Sequence, residues 1–213
     1  MVQIVVMARW PSPGRCKRRL SHDLGNRLGL SNSSERATRI QQRLTQHSAA
    51  VVRSLADGMD IEPVLAVSGL GPRAAKRWGQ QLGLPLVRLQ GKGTLGTRLR
   101  RQLMHGHRHG RASVVIGTDL PELNQDDLKQ AIEHLNSHEL VLGPASDGGY
   151  WLLGIGASLI RSPQRWPLIG IPWGGPTVLE ATLKAARTHT ISTTLVSQRN
   201  DLDHWSDLMP WQG

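Results

Sequence analysis

The sequence has no phenylalanine, one tyrosine and one cysteine in 213 residues. A single cysteine excludes an internal disulfide framework and any metal site built on several thiolates. No stretch approaches the roughly twenty consecutive apolar residues of a membrane-spanning helix. The apolar run Ile4–Met7 has no basic segment before it, so the N-terminus does not read as a signal peptide. Acidic residues are scarce as well. Sixteen Asp and Glu stand against 26 Lys and Arg, for a formal net charge of +10. Hydrophobic residues, at 38%, still suffice for a core at this length. The chain therefore reads as one soluble domain, residues 1–213, in the cytoplasm.

A strong positive charge raises nucleic acid as a first candidate partner. Its distribution argues otherwise. Residues 1–111 hold 20 Lys and Arg and 5 Asp and Glu, whereas residues 112–213 hold 6 and 11. A cationic front half and an acidic back half suit phosphate handling beside cation handling, though on composition alone a solvated basic face with no ligand is the stronger reading. Seven tryptophans replace the missing aromatics, too scattered for a nucleic-acid stacking platform and suited instead to the core or to a substrate rim.

Apolar β-branched runs alternate with helical periodicity. Strands are expected at 4–7, 63–68, 86–89, 113–117, 140–143, 150–155 and 191–196. Helices are expected at 33–56, 73–82, 95–108, 126–135 and 177–187. Asn32 and Glu35 have the spacing of a capping box before the longest helix. Such alternation predicts a three-layer α/β/α sandwich with a mostly parallel sheet, which binds ligands at the carboxyl ends of its strands. The Gly/Pro/Trp-rich stretch 163–176 reads as a lid or substrate loop.

Five segments carry the candidate chemistry. ARWPSPGRCKRRL (8–20) sets Gly14 among Arg9, Arg15, Lys17, Arg18 and Arg19, a pattern that suits an anion and equally a basic surface turn. QGKGTLGTRL (90–99) puts Gly91, Gly96 and Arg98 at the start of a basic helix, where backbone amides attract anions. IGTDLP (116–121) places Asp119 just past a strand, as a metal ligand or a helix cap. GPASDGGYWLLG (143–154) is a hairpin signature in which Asp147 also has chemical potential. NDLDHWSDL (200–208) offers Asp201, Asp203 and Asp207, as ligands or as the cap of a C-terminal helix. Cys16 has cationic neighbours but no His or Asp partner at a fitting spacing. His105, His107 and His109 sit at the end of a basic helix and read as surface.

Together and in this order, these segments resemble the GT-A-like nucleotide-diphospho-sugar transferase superfamily, from about residue 2 to residue 208. Within it the sequence resembles a bacterial glycosyltransferase-like family associated with radical-SAM/selenodomain proteins and linked to arsenosugar biosynthesis. Its opening is similar to those of 2-phospholactate guanylyltransferases and molybdenum-cofactor nucleotidyltransferases. The opening motif reads Arg9, Pro11, Pro13, Gly14, Lys17, Arg19, Leu20, with Arg18 where the family has Thr. The Gly-rich motif reads Gln90, Gly91, Gly93, Leu95, Gly96, Arg98, with Thr94 where the family has Asp. Gly117-x-Asp119-x-Pro121, Asp147-Gly148-Gly149-Tyr150 and Ile171-Pro172-Trp173 follow the family pattern.

The resemblance implies a GT-A-like fold and a transferase with a nucleotide-activated donor. Arg9, Gly14, Lys17, Arg19, Gly91, Gly96 and Arg98 would bind the nucleotide. Asp119 and Asp203 would hold Mg²⁺ or Mn²⁺. Asp147, Gly148, Gly149, Tyr150 and Trp173 would face a small-molecule acceptor, with Asp147 and Lys17 catalytic. The leading expectation is sugar transfer from a nucleotide sugar. The alternatives are nucleotidyl transfer from a nucleoside triphosphate to a phosphorylated acceptor, and a non-enzymatic basic binding module.

Overall fold

The computed structural model describes residues 1–211. Seven strands form one sheet: β1 (Val2–Arg9), β2 (Ile61–Ser68), β3 (Val87–Leu89), β4 (Ser113–Ile116), β5 (Leu140–Pro144), β6 (Tyr150–Ile155) and β7 (Thr193–Leu195). Their order is β3-β2-β1-β4-β6-β5-β7. β6 runs antiparallel to β4 and β5, and the remaining pairings are parallel. Ile4, Val5 and Val6 of β1 are all fully buried. An unbroken apolar run of this kind, rather than an alternating one, is what a strand covered on both faces requires.

The covering helices are α2 (Ser33–Ala56), α3 (Pro72–Gln81) and α5 (Gln125–His134) on one face, and α4 (Leu95–His109), α6 (Ala157–Ile160) and α7 (Val178–Thr188) on the other. On the first face Val52, Trp78 and Leu128 share one buried cluster with Val6 and Ile116, and on the second Leu103, Leu159 and Ala186 share another with Val5 and Leu153. The expected three-layer α/β/α sandwich is therefore the architecture. A further helix, α1 (Arg18–Leu28), lies outside these layers. Its Leu20 and Leu24 pack with Leu44 of α2 and Leu202 of the C-terminal segment.

Two local expectations need correction. The helix at 33–56 forms, but the Asn32 side chain caps no backbone N–H; it accepts a hydrogen bond from Arg36 Nε instead, at 3.0 Å. Asp119 caps no helix, because α5 starts four residues beyond Pro121 behind a full capping box of Asn124 and Asp127. Residues 163–176 are anchored in part to the core. Trp166 is buried, donates from Nε1 to the Leu159 carbonyl at 2.9 Å, and lies beneath the Arg100 guanidinium.

The sheet reverses its winding between β1 and β4. β2 and β3 lie to one side of β1, and β4 lies to the other. At such a switch point the connections leave in opposite directions and open a crevice above the strand ends. Here the ends are Arg9–Trp10 after β1 and Gly117–Asp119 after β4.

Candidate functional site

Above β1 and β4, Lys17 brings two carboxylates together. Its Nζ lies 2.6 Å from Asp119 Oδ1 and 3.1 Å from Asp203 Oδ1. The Lys17 side chain is only 1% exposed, while Asp119 and Asp203 remain 47% and 38% exposed. Burial alone would pull the Lys17 amine down, but attraction to Asp119 and then Asp203 more than offsets it and holds the pKa above the ordinary lysine value. The ammonium therefore stays charged. Lys17 has a left-handed backbone, φ 47°, at the cap of α1. That conformation is disfavoured for a residue with a side chain.

Asp203 is positioned by a clasp between the C-terminal segment and α1. Asp207 Oδ2 accepts from the backbone N–H of Asp203 and His204, at 2.8 and 2.6 Å. Asp23 Oδ2 on α1 accepts from Trp205 N at 3.1 Å and pairs with His204. The Trp205 N–H bond, then the His204 bond, hold the Asp23 carboxyl below its usual range. The Leu202 N–H donates to the Asp119 carbonyl, tying this segment to the end of β4.

Two oxygen donors within 3.1 Å of one cationic nitrogen are an incomplete but suitable set for Mg²⁺ or Mn²⁺. These ions accept one or two carboxylates and take their other ligands from phosphate and water. Among the described residues no cluster of three His, Cys, Asp or Glu forms a self-sufficient metal cage.

A basic cavity of about 400 Å³ surrounds this centre, lined by Arg9, Arg15, Arg18, Arg19, Lys17 and the two carboxylates. It adjoins a second, of about 550 Å³, that shares Arg9, Arg15 and Arg18 and adds Trp10, Gly14, Gly69 and Arg98. Trp10 is 38% exposed, and its ring stands edge-to-face with Trp78 at 5.1 Å. The two cavities make one cationic groove. Gly14 lines it with positive φ, but its N–H is already bonded to Ser34 Oγ at 2.7 Å. Arg19 reaches to 3.7 Å from Asp203.

A third cavity, of about 190 Å³, opens on the other side of Asp119. Tyr150, Trp151 and Trp173 wall it, and Asp119, Asp147 and Asp201 edge it. Tyr150 and Trp173 meet edge-to-face with ring centroids 6.1 Å apart. Asp147 lies in the β5–β6 hairpin, where its Oδ1 accepts from Gly149 N at 2.8 Å. Burial, and next the charge of Asp147, push the Asp201 carboxyl above the ordinary range.

Arg9, Gly14, Lys17, Arg19, Arg98, Asp119 and Asp203 thus lie along one groove, and Asp147, Gly149, Tyr150 and Trp173 along the adjoining cavity. Gly91, Gly96 and Gly148 line neither, and each is closely packed. Gly91 lies beneath the Arg101 guanidinium, and Gly96 beneath the Trp173 indole, where an added Cβ would collide. Gly148 needs φ +86° and packs directly on the Pro176 carbonyl. Thr94 caps α4, its Oγ1 accepting from Thr97 N at 3.3 Å. Trp10, Arg15, Arg18 and Asp201 join the site beyond the residues assigned from sequence. The charge run 15–19 and the Asp-x-Asp pair were the available signals for the last three.

The family model for uncharacterised proteins conserved in bacteria, DUF2064, matches residues 51–175. No curated protein matches the sequence. Among solved structures, a protein of Desulfovibrio desulfuricans G20, provisionally assigned as a nucleotide-diphospho-sugar transferase, superposes with a TM-score of 0.82 at 23% identity over 98% of this chain and 85% of that one. A nucleotidyl transferase of Methanothermobacter thermautotrophicus gives a TM-score of 0.59 at 20% identity, covering 100% and 96%. Rv0371c of Mycobacterium tuberculosis H37Rv, in complex with manganese, gives 0.51 at 15% identity, covering 99% and 97%.

Proposed function

The chain belongs to the DUF2064 family, and we propose that it is a divalent-metal-dependent transferase that moves a sugar from a nucleotide sugar to a small acceptor. The observation that carries this reading is the convergence of Asp119 and Asp203 on one cationic point, with an arginine groove on one side and an aromatic, acid-edged cavity on the other. The groove suits the nucleoside and its phosphates, and the cavity suits the acceptor. Rv0371c, a protein of similar fold, was solved in complex with manganese, which supports a divalent metal as cofactor.

Asp119 and Asp203 would hold Mg²⁺ or Mn²⁺, which supplies charge neutralisation at the diphosphate. Arg19 and Arg98 would bind the diphosphate oxygens and stabilise the charge that grows on them as the leaving group departs, and Lys17 would add its positive charge from between the two carboxylates. One Asp147 oxygen is fixed by the Gly149 N–H, leaving the other to orient the acceptor hydroxyl and take its proton. The acceptor oxygen bonds to the anomeric carbon, the carbon–oxygen bond to the diphosphate breaks, and the nucleoside diphosphate leaves with that electron pair. The proton ends on Asp147.

Nucleotidyl transfer is the second reading, favoured by the end-to-end superposition on the Methanothermobacter nucleotidyl transferase. It would join a nucleoside monophosphate unit to a phosphorylated acceptor and release pyrophosphate. Turnover of nucleotide sugars, measured beside pyrophosphate release from nucleoside triphosphates, separates the two. In either assay Asp119→Asn should lose most metal-dependent turnover, and Mn²⁺ binding followed by electron paramagnetic resonance should weaken with it. A variant with full metal-dependent turnover and unchanged Mn²⁺ affinity would sink the site assignment.

A further inference from the structure

The groove and the third cavity differ sharply in charge. The groove presents Arg9, Arg15, Arg18 and Arg98. The cavity walled by Tyr150, Trp151 and Trp173 is lined by no Lys, Arg or His among the described residues, and its charged groups are carboxylates. Asp119 is engaged by Lys17 on the groove side, which leaves Asp147 and Asp201 as the charges facing the cavity. Away from the ion proposed on Asp119, which Asp203 and the donor diphosphate would already engage, the lining offers a phosphate monoester no Lys, Arg or His, and a third anion beside Asp147 and Asp201 in a partly desolvated volume is unfavourable.

The walls also specify what does fit. Two rings at an interplanar angle of 81° make a corner for a flat or aliphatic body. Trp173 is seated there by close contact with Gly96, and Trp151 is fixed by its Nε1 bond to the Ser197 carbonyl at 3.1 Å. Carboxylates accept hydrogen bonds and donate none. A molecule that engages Asp147 and Asp201 must therefore bring its own donors.

We infer that the acceptor is a non-phosphorylated small molecule with an apolar or aromatic body and a hydroxyl or amino donor, held between Tyr150 and Trp173 with its donor on Asp147 and Asp201. This rests on the transferase reading and narrows it, because it assigns sugar transfer to a free hydroxyl or amine rather than nucleotidyl transfer to a phosphorylated acceptor.

The test uses the full chain, labelled with ¹⁵N, and the series 2-phenylethanol, 2-phenylethylamine and phenethyl phosphate. The readout is the indole N–H resonances of Trp173 and Trp10, assigned with Trp173→Phe and Trp10→Phe. The alcohol and the amine should shift Trp173. Phenethyl phosphate should shift Trp10 in the arginine groove and leave Trp173 in place. Asp147→Asn with Asp201→Asn should weaken the amine at least tenfold and the alcohol less. A phosphate ester that moves Trp173 at concentrations equal to or below those of the alcohol overturns the inference. So does amine binding unchanged in the double variant. Thermal shifts with UDP-glucose and GTP in the presence of Mn²⁺ are read on the same sample. If neither nucleotide stabilises the fold, the transferase reading fails, whatever the acceptor series shows. If a nucleotide stabilises it and the series is reversed, the acceptor inference alone fails.

Discussion

At Lys17 a buried ammonium occupies the point on which two partly exposed carboxylates converge. A divalent cation drawn to Asp119 and Asp203 must compete with that charge. Lys17→Met should therefore bind Mn²⁺ more tightly in the absence of nucleotide, by about tenfold if the like-charge penalty is near 1.4 kcal/mol. Titration calorimetry of both proteins measures this, and unchanged or weaker binding would mean that lysine and metal do not share the point. Trp10 makes a separate residue-scale prediction. Its exposed ring, buttressed by Trp78 at the rim of the arginine groove, offers a stacking surface for a nucleobase. Stacking of one base on an aromatic side chain is worth roughly 1–3 kcal/mol. Trp10→Ala should lower nucleotide affinity about tenfold and Trp10→Phe much less, with the metal affinity of the nucleotide-free protein unchanged.

Among the elements, helix α1 and the C-terminal segment hold the metal carboxylate in place through Asp23 and Asp207. Asp23 has a folded-state pKa below its unfolded value, so its contribution is complete above the ordinary carboxylate value near 3.8 and is lost as pH falls through the lower folded value. The protection of the Trp205 amide, the slowing of its exchange relative to the intrinsic rate at the same pH, should fall as acid is added across that window. In Asp23→Asn the amide should have little protection throughout and lose that pH dependence, as hydrogen exchange read by NMR would show. This clasp was not legible in the sequence. Helix α1 is arginine-rich with only Leu20, Leu24 and Leu28 at helical spacing, and the pattern before it reads as a loop. The strands of the sheet and helix α2 were legible, because their periodicity reflects burial against the sheet. The Asp-Gly hairpin at 147–148 was legible for the same local reason. Burial of a lysine at the centre was not, since its partners lie 102 and 186 residues away in sequence. The glycines of the two Gly-rich motifs were legible as special positions, but Gly91, Gly96 and Gly148 serve close packing, which only the folded neighbours reveal.

For the whole molecule, the uneven charge of the chain becomes two sites of opposite sign on either side of Asp119. The front half supplies the arginines of the groove, and the back half supplies Asp147 and Asp201. Part of the basic excess lies elsewhere: Arg88 and Arg111 pair with Glu62 at the start of β2, the opposite end of the sheet. Charges in the open groove are screened once the Debye length, about 10 Å at 0.1 M and about 3 Å at 1 M, falls below their separation from the ligand. Contact of a neutral alcohol with the Tyr150–Trp173 corner is mostly apolar and carries no such dependence. Raising NaCl from roughly 0.05 to 0.5 M should weaken nucleotide binding about tenfold or more, and leave 2-phenylethanol binding within about twofold. Both are measurable by calorimetry and by the Trp173 resonance. Equal salt sensitivity of the two ligands would mean that they share the arginine groove, and the division of the strand-end crevice into a phosphate side and an acceptor side would not hold.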